Sequence, residues 1–491
     1  MSLSRPRVAV VGAGVCGLAT AALLARRGLS VVLLEALDRV GGVAAACALD
    51  GQRFSPGPQY IWGLGPGGVG TRVLAEMGLS LPTRQMPVDF SLVALGDQPL
   101  QPIHAAICAP VLDALAQHSP EQGAAIASFV ELLDLIGDAC VELSDGARYM
   151  DSGAMMLERI LRAPRLSWRA RRMVLAHQGA SVAQAARGFG LDPAALRVLA
   201  WPQGIFAESL EELSVVLFAA ARHHLKGALF VPAGGTHRLT DALEQQVRGL
   251  GVDLRLGQRV GAVTPTGSGH RIGAEAFDHV VFACAPAIAG ELLGGLSLPY
   301  APGHSISALC LSLSISEGVA AALTERDLTW YRSPSADIDF RAASPALRML
   351  NATSPTLNGA PGEHGGRCVV AAFYPDGDPV EQAEARLLSL LRPWGRVQVR
   401  ARRVISRRVW QESFGSHDGA VYGRRLTARS IRQSPRHRLP AATSLAHSAA
   451  GISGVLGALE MASRTAREIM ERLSRSVPAH RGPPGACAPS L

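Results

Sequence analysis

The sequence predicts an α/β protein built from two units, one on a parallel sheet and one of α+β character. Three observations carry this. Apolar, strand-like runs at residues 7–11, 29–34 and 277–285 flank stretches whose apolar residues recur at helical spacing. Glycines at positions 12, 14 and 17 fall where the first strand gives way to the first helix. A long insertion, residues 102–227, reads as helical, and strand-like runs at 309–315 and 367–373 follow it.

Composition sets the bounds. A chain of 491 residues has room for two or three domains and a large core. Apolar residues make up 48% and charged residues 18%, which excludes wholesale disorder. The 52 glycines and 31 prolines follow no fixed period, so the chain is not collagen-like. No run approaches the ~18 apolar residues of a spanning helix. The opening residues lead into a glycine-punctuated segment and do not read as a secretion signal. Net charge is +8 and is carried by arginine, since Lys226 is the only lysine. With no run of five like charges and no basic–aromatic motif, nothing points to a nucleic-acid partner. Cysteines 16, 47, 108, 140, 284, 310, 368 and 487 form no CxxC pair. They read as small core residues in a reducing cytoplasm, not as a disulfide frame or a metal site.

The first element pair defines a nucleotide cradle. Residues 7–11 form a strand, Gly12-Ala13-Gly14-Val15-Cys16-Gly17 a turn, 18–27 a helix closed by Gly28, and 29–34 a second strand ending at Glu35. Gly12 permits the tight turn, Gly14 admits a pyrophosphate close to the backbone, and Gly17 lets the helix pack on the strand. The helix start at Val15 and Cys16 offers N–H groups and partial positive charge to phosphates. Glu35, followed by Ala36, sits where a carboxylate accepts hydrogen bonds from a ribose and disfavours the 2′-phosphate of NADP.

A second loop extends the cradle. Asp38-Arg39-Val40-Gly41-Gly42 leads into Val43; the paired glycines allow another close backbone approach, and Arg39 can neutralise a diphosphate. This Glu-x3-Arg-x-Gly-Gly extension resembles the FAD-binding signature of the flavin amine oxidase and phytoene desaturase superfamily. Further blocks resemble it in the same order. Phe54-Ser55-Pro56-Gly57-Pro58-Gln59-Tyr60 resembles the segment passing the flavin ring, with Ser55 where the family usually has Asp. Residues 229–239 resemble the strand–PxGG–helix block, and the helix that follows carries Leu239, Leu243 and Val247 on one face. Residues 252–256 and 259–263 read as strands, and the resemblance puts the amide of Val260 on the adenine. Residues 277–285 resemble the strand returning to the pyrophosphate.

The closing block spans residues 444–457 and runs into a helix to about Leu473. Gly454 and Val455 match the residues whose amides face the flavin pyrimidine. Where the family has Gly-Asp, this chain has Ala446-His447. His447 is either a contact to the flavin chain or a packing histidine, and weakened FAD binding is one consequence to expect. The order of blocks most resembles the phytoene desaturase and carotenoid isomerase branch. The stretch 182–199 and Trp410 with Tyr422-Gly423 share that likeness.

The resemblance implies a Rossmann-type, glutathione-reductase-like FAD-binding domain made of residues 1–85, 228–298 and 396–475. It implies a second, discontinuous α+β substrate domain, residues 86–227 and 299–395. The Pro/Gly-rich composition of residues 476–491 reads as a disordered tail. The implied activity is FAD-dependent oxidation by a dehydrogenase, desaturase or oxidase, with hydride passing from an apolar or secondary-metabolite small molecule to flavin N5. The alternative is a non-redox protein of the same fold, an isomerase or a lipid- or partner-binding escort. No catalytic triad or metal spacing is present. Trp410 and Tyr422 are candidate cavity walls; His223, His224 and the pair His417-Asp418 are candidates for proton handling. The arginine-rich stretch 155–175 reads either as an interfacial helix on an anionic membrane or as a solvated face of a core helix. Peripheral membrane contact and oligomeric state stay open.

Overall fold

The computed structural model describes residues 5–87, 91–97, 99–103, 120–144, 167–193, 195–196, 207–226, 229–267, 269–333, 337–362, 364–430, 439–446 and 454–476. Its first sheet has five parallel strands in the order Thr443–Leu445, His279–Phe282, Arg7–Val11, Ser30–Leu34 and Asp253–Arg255. Val8, Ala9 and Val10 in the middle strand are fully buried, which is why the strand reads as an unbroken apolar run. The helix Val15–Arg26 packs against both His237–Gly249 and Gly454–Ser476. Leu239, Leu243 and Val247 form the buried stripe of one; Leu456, Leu459, Ala462, Ala466 and Ile469 belong to the other. Gly28 closes the first helix with a left-handed φ of +87°, and its N–H donates to the Ala25 carbonyl.

The second sheet has seven strands, in the order Val397–Ile405, Ile306–Ile315, Arg367–Pro375, Met349–Thr353, Asp327–Tyr331, Ser91–Leu95 and Gln101–Ile103. All pairs are antiparallel except Asp327–Tyr331 with Ser91–Leu95. Side chains alternate across it. Ile306, Ala308, Cys310, Val369, Ala371 and Phe373 share an apolar core with the helices Gly123–Ser144 and Val215–Lys226. Leu309, Leu311, Leu313, Val370 and Ala372 share another with Glu317–Leu323 and Val380–Leu391.

Four sequence readings change. Val397–Ile405, read with the nucleotide unit as part of 396–475, pairs as the edge of the seven-stranded sheet. Residues 252–256 shorten to the strand Asp253–Arg255. Residues 259–263 form no strand; Arg259 and Val260 line the cleft described below, and Val263 N–H donates to the Leu292 carbonyl. Residues 277–285 divide: Phe277 ends the hairpin strand Glu275–Phe277, and His279–Phe282 enters the parallel sheet. Asp278 marks the division, exchanging hydrogen bonds with the backbone of Arg7 through its own N–H and its carboxylate.

One row of the large sheet carries polar groups into this interior. Asp327 is 1% exposed; Asn351 donates to its Oδ2 at 3.4 Å, and its Oδ1 has no hydrogen-bond partner among the described residues. Burial pushes its carboxyl from 3.8 up to about 7. An acid whose native pKa is raised loses native stability as pH climbs between those values, because the unfolded chain ionises first. Asp327→Asn, which cannot ionise, is expected to abolish that decline. Equilibrium unfolding between pH 4 and 8 should show the variant gaining on the parent, by an amount on the order of a few kcal/mol.

Candidate functional site

The glycine turn is set by contacts that exclude side chains. Gly12 has φ +103°, and a Cβ there would lie 3.1 Å from the Ala283 carbonyl oxygen. A Cβ on Gly17 would lie 1.8 Å from the Gly12 oxygen, so the helix can approach the turn only with glycine at that position. At Gly14 a Cβ would meet nothing within 4 Å, because that side opens into a cleft. Gly14 is also the N-cap, with no capping side chain, so the positive end of the helix Val15–Arg26 faces this opening. The second loop lies against the first: Gly41 N–H donates to the Ala13 carbonyl, and a Cβ on Gly42 would be 3.4 Å from the Gly14 Cα. Gly57 is pressed under the Val43 carbonyl.

The cleft holds about 670 Å³, within the range of ligand sites. Gly12, Gly14, Val15, Cys16, Glu35, Ala36, Gly41, Gly42, Val43, Pro58, Val260, Gly454 and Val455 all line it. The amino-terminal turn and the start of the carboxyl-terminal helix therefore share one cavity. Glu35 accepts from Ala13 N–H at 2.6 Å and from Leu37 N–H at 2.9 Å, which fixes its carboxylate at the cleft edge. Its backbone exchanges hydrogen bonds with Arg255 and Gln258, and this carries Val260 to the cavity.

Other expected residues sit elsewhere. The Arg39 guanidinium donates to the Ser413 carbonyl and lies 5.2 Å from the Phe414 ring centroid. It caps the carboxyl end of the helix Arg407–Phe414, where carbonyl dipoles attract a cation, and does not line the cleft. Gly17 and Gly57 act by close packing. Gln59 donates to the Ser55 and Gly57 carbonyls and so holds its own turn. Tyr60 is half-buried; burial, with Asp327 and Tyr422 nearby, drives its hydroxyl well above the usual tyrosine range. Tyr422 is likewise pushed up by burial and sits between the cleft residues Val421 and Gly423. Trp410 is fully buried, its indole N–H donating to the Ile306 carbonyl at 2.9 Å, so it is core and not a cavity wall. His223 Nδ1 pairs with Asp138 Oδ1 at 2.8 Å, between the helices Gly123–Ser144 and Val215–Lys226 and outside the cleft. The His224 side chain and His447 lie outside the described residues.

The opposite wall was the part least visible in the sequence. It is made by Gln411, Glu412, Phe414, Gly415, Ser416, His417 and Asp418, with Tyr300. The likeness around Trp410 and Tyr422 and the polar pair His417-Asp418 are what point to this segment, and His417 and Asp418 do line the cleft. Elsewhere, Glu208, Glu212 and His304 converge, but Arg425 bonds both carboxylates and fills the position a cation would take.

A parallel sheet with a glycine turn, a ribose-edge carboxylate and a second helix start, all lining one cleft, defines a dinucleotide-binding flavoprotein, and the residues present fit FAD. The chain matches the family described as flavin containing amine oxidoreductase over residues 15–470, and it belongs to that family. It is an FAD-dependent oxidoreductase. Phytoene desaturase from Cercospora nicotianae is 43% identical over 77 residues, 16% of this chain and 12% of that protein. Phytoene desaturase from Fusarium fujikuroi is 44% identical over 61 residues, 12% of this chain and 11% of that protein. Each match thus spans a small part of the relative's length. Among solved structures, a putrescine oxidase variant from a redesign of cofactor binding superimposes with TM-score 0.65 at 19% identity, covering 95% of this chain and 99% of its own. Cyclohexylamine oxidase from Brevibacterium oxydans gives 0.58 at 15% identity, covering 96% and 100%. These likenesses establish the fold. No helix among the described residues is long and apolar enough to cross a membrane.

The glycines yield a paired test. Gly14→Ala should keep the parental unfolding free energy but weaken FAD binding at least ~tenfold, because its methyl group enters the cleft. Gly17→Ala should destabilise the fold itself by about 3 kcal/mol or more, since backbone blocks the new methyl group. Denaturant unfolding and flavin fluorescence titration separate the two.

Proposed function

We propose that the chain oxidises an apolar small molecule by transfer of hydride to flavin N5. One observation carries the reading. Beyond Pro58 and Val421 at the cleft, the lining passes into apolar surroundings, where Tyr60, Trp62, Val421 and Tyr422 pack against the core that includes Ile306, Ala308 and Phe373. FAD, when bound, supplies the hydride acceptor. The chain supplies placement. Gly14 and Gly42 admit the diphosphate, and Glu35 holds ribose hydroxyls. The helix start at Gly454 and Val455 favours negative charge at the pyrimidine end. Tyr60 and Tyr422 remain neutral phenols that exclude water and align a flat apolar substrate. The short phytoene desaturase matches support an apolar substrate; the amine oxidase neighbours share the fold. The purified, flavin-loaded protein should lose its visible flavin band anaerobically on addition of a polyene such as phytoene. Bleaching by simple amines and not by polyenes would overturn the apolar reading. A protein that holds FAD yet is bleached by neither would favour the non-redox alternative.

The reading extends to how such a substrate arrives. Trp168 is 75% exposed at the head of the helix Trp168–His177, which carries Arg169, Arg171 and Arg172. An exposed indole beside arginines suits an anionic membrane surface. The protein is expected to co-sediment with phosphatidylglycerol vesicles, and Trp168→Ser should reduce that fraction several-fold while flavin content stays unchanged.

A further inference from the structure

We infer that His417 is a direct contact of the coenzyme, donating a hydrogen bond from Nε2–H to an oxygen of the diphosphate–ribityl stretch. The starting point is a shortage of positive charge. Among the described residues, Glu35, Glu412 and Asp418 line the cleft against one cationic side chain, Arg259, which sits beside Val260. Arg39, the cation the sequence offers to the diphosphate, is held instead by the Ser413 carbonyl and the Phe414 ring. Backbone N–H groups and helix dipole therefore carry most of the anion binding, and a further donor on the facing wall has a place to act.

His417 stands on that wall. The missing Cβ of Gly42 would lie 3.4 Å from the Gly14 Cα and 3.9 Å from the Phe414 carbonyl oxygen, so the two walls close on each other at the paired glycines. The imidazole is fixed in place: the Tyr300 ring meets it edge-on, with centroids 5.8 Å apart and planes at 70°. Tyr300 is anchored in turn by its hydroxyl, which donates to the Gly423 carbonyl. The neighbouring Asp418, at φ +57°, directs its carboxylate to Arg407. His417 Nδ1 is buried and has no hydrogen-bond partner among the described residues. A proton on Nδ1 would be stranded there, so the neutral ring carries its proton on Nε2, the polar atom left for the cleft. That tautomer presents a donor to an anionic or hydroxyl-rich ligand, and the coenzyme's middle stretch is both.

The test uses the full chain, stripped of flavin and titrated with FAD by quenching of flavin fluorescence. His417→Phe keeps a flat ring against Tyr300 but has no donor; His417→Gln keeps a donor. The phenylalanine variant should bind FAD roughly ten- to hundredfold more weakly than the parent. The glutamine variant should recover most of that loss. Melting curves of both apoproteins should match the parent. Binding by His417→Phe within twofold of the parent would overturn the inference. So would equal losses in both variants, which would assign the effect to ring shape. Binding of FAD by the parent is the control that separates failure at His417 from failure of the cofactor assignment.

Discussion

Two backbone loops meet without side chains between them, and the cleft depends on that meeting. Gly14 and Gly42 face each other so closely that a methyl group on Gly42 would already touch the Gly14 Cα, and Gly17 lies against the Gly12 carbonyl. Each contact removes steric bulk where an anionic ligand must come close to N–H groups. The helix Val15–Arg26 can aim its positive end at the ligand only because Gly17 lets it seat on the strand. Moving it outward would displace the turn, the second loop and Glu35 together, since Glu35 is bonded to Ala13 within the turn.

The rest of the chain closes this cradle from a distance. The parallel sheet is assembled from segments near residues 7, 30, 253, 279 and 443, so its edge strands arrive only after long excursions. Those excursions build the seven-stranded sheet and the helices above it. The carboxyl-terminal helix then packs on the first helix and brings Gly454 and Val455 to the cavity begun by Gly12. The cofactor cleft and the apolar interior meet at Pro58, Tyr60 and Val421. An oxidoreductase needs that adjacency, because the substrate must touch the ring while the nucleotide end stays in a polar groove.

Local pattern made the cradle legible. The glycine turn, Glu35 and the stripe Leu239, Leu243 and Val247 need only strand and helix periods to read, and all fall where the pattern placed them. What escaped depends on contacts between distant segments. Arg39 looks like a phosphate ligand until the end of the helix Arg407–Phe414 is brought beside it. Trp410 looks like a cavity wall until the Ile306 carbonyl claims its N–H. Residues 259–263 have the composition of a strand but no neighbour to pair with. Asp327 carries no signal in one dimension, and His417 stands out only as one half of a polar pair with no place assigned to it, since burial and facing partners are properties of the fold.

The central claim is that the amino-terminal glycine loops and the start of the carboxyl-terminal helix hold a single FAD. Hydrogen–deuterium exchange of the full chain with and without FAD tests it most directly. The account predicts that residues 12–17, 41–43 and 454–458 gain protection together, along one binding curve with one equivalent of FAD. Protection confined to the amino-terminal loops, with the helix at 454 exchanging as before, would contradict it.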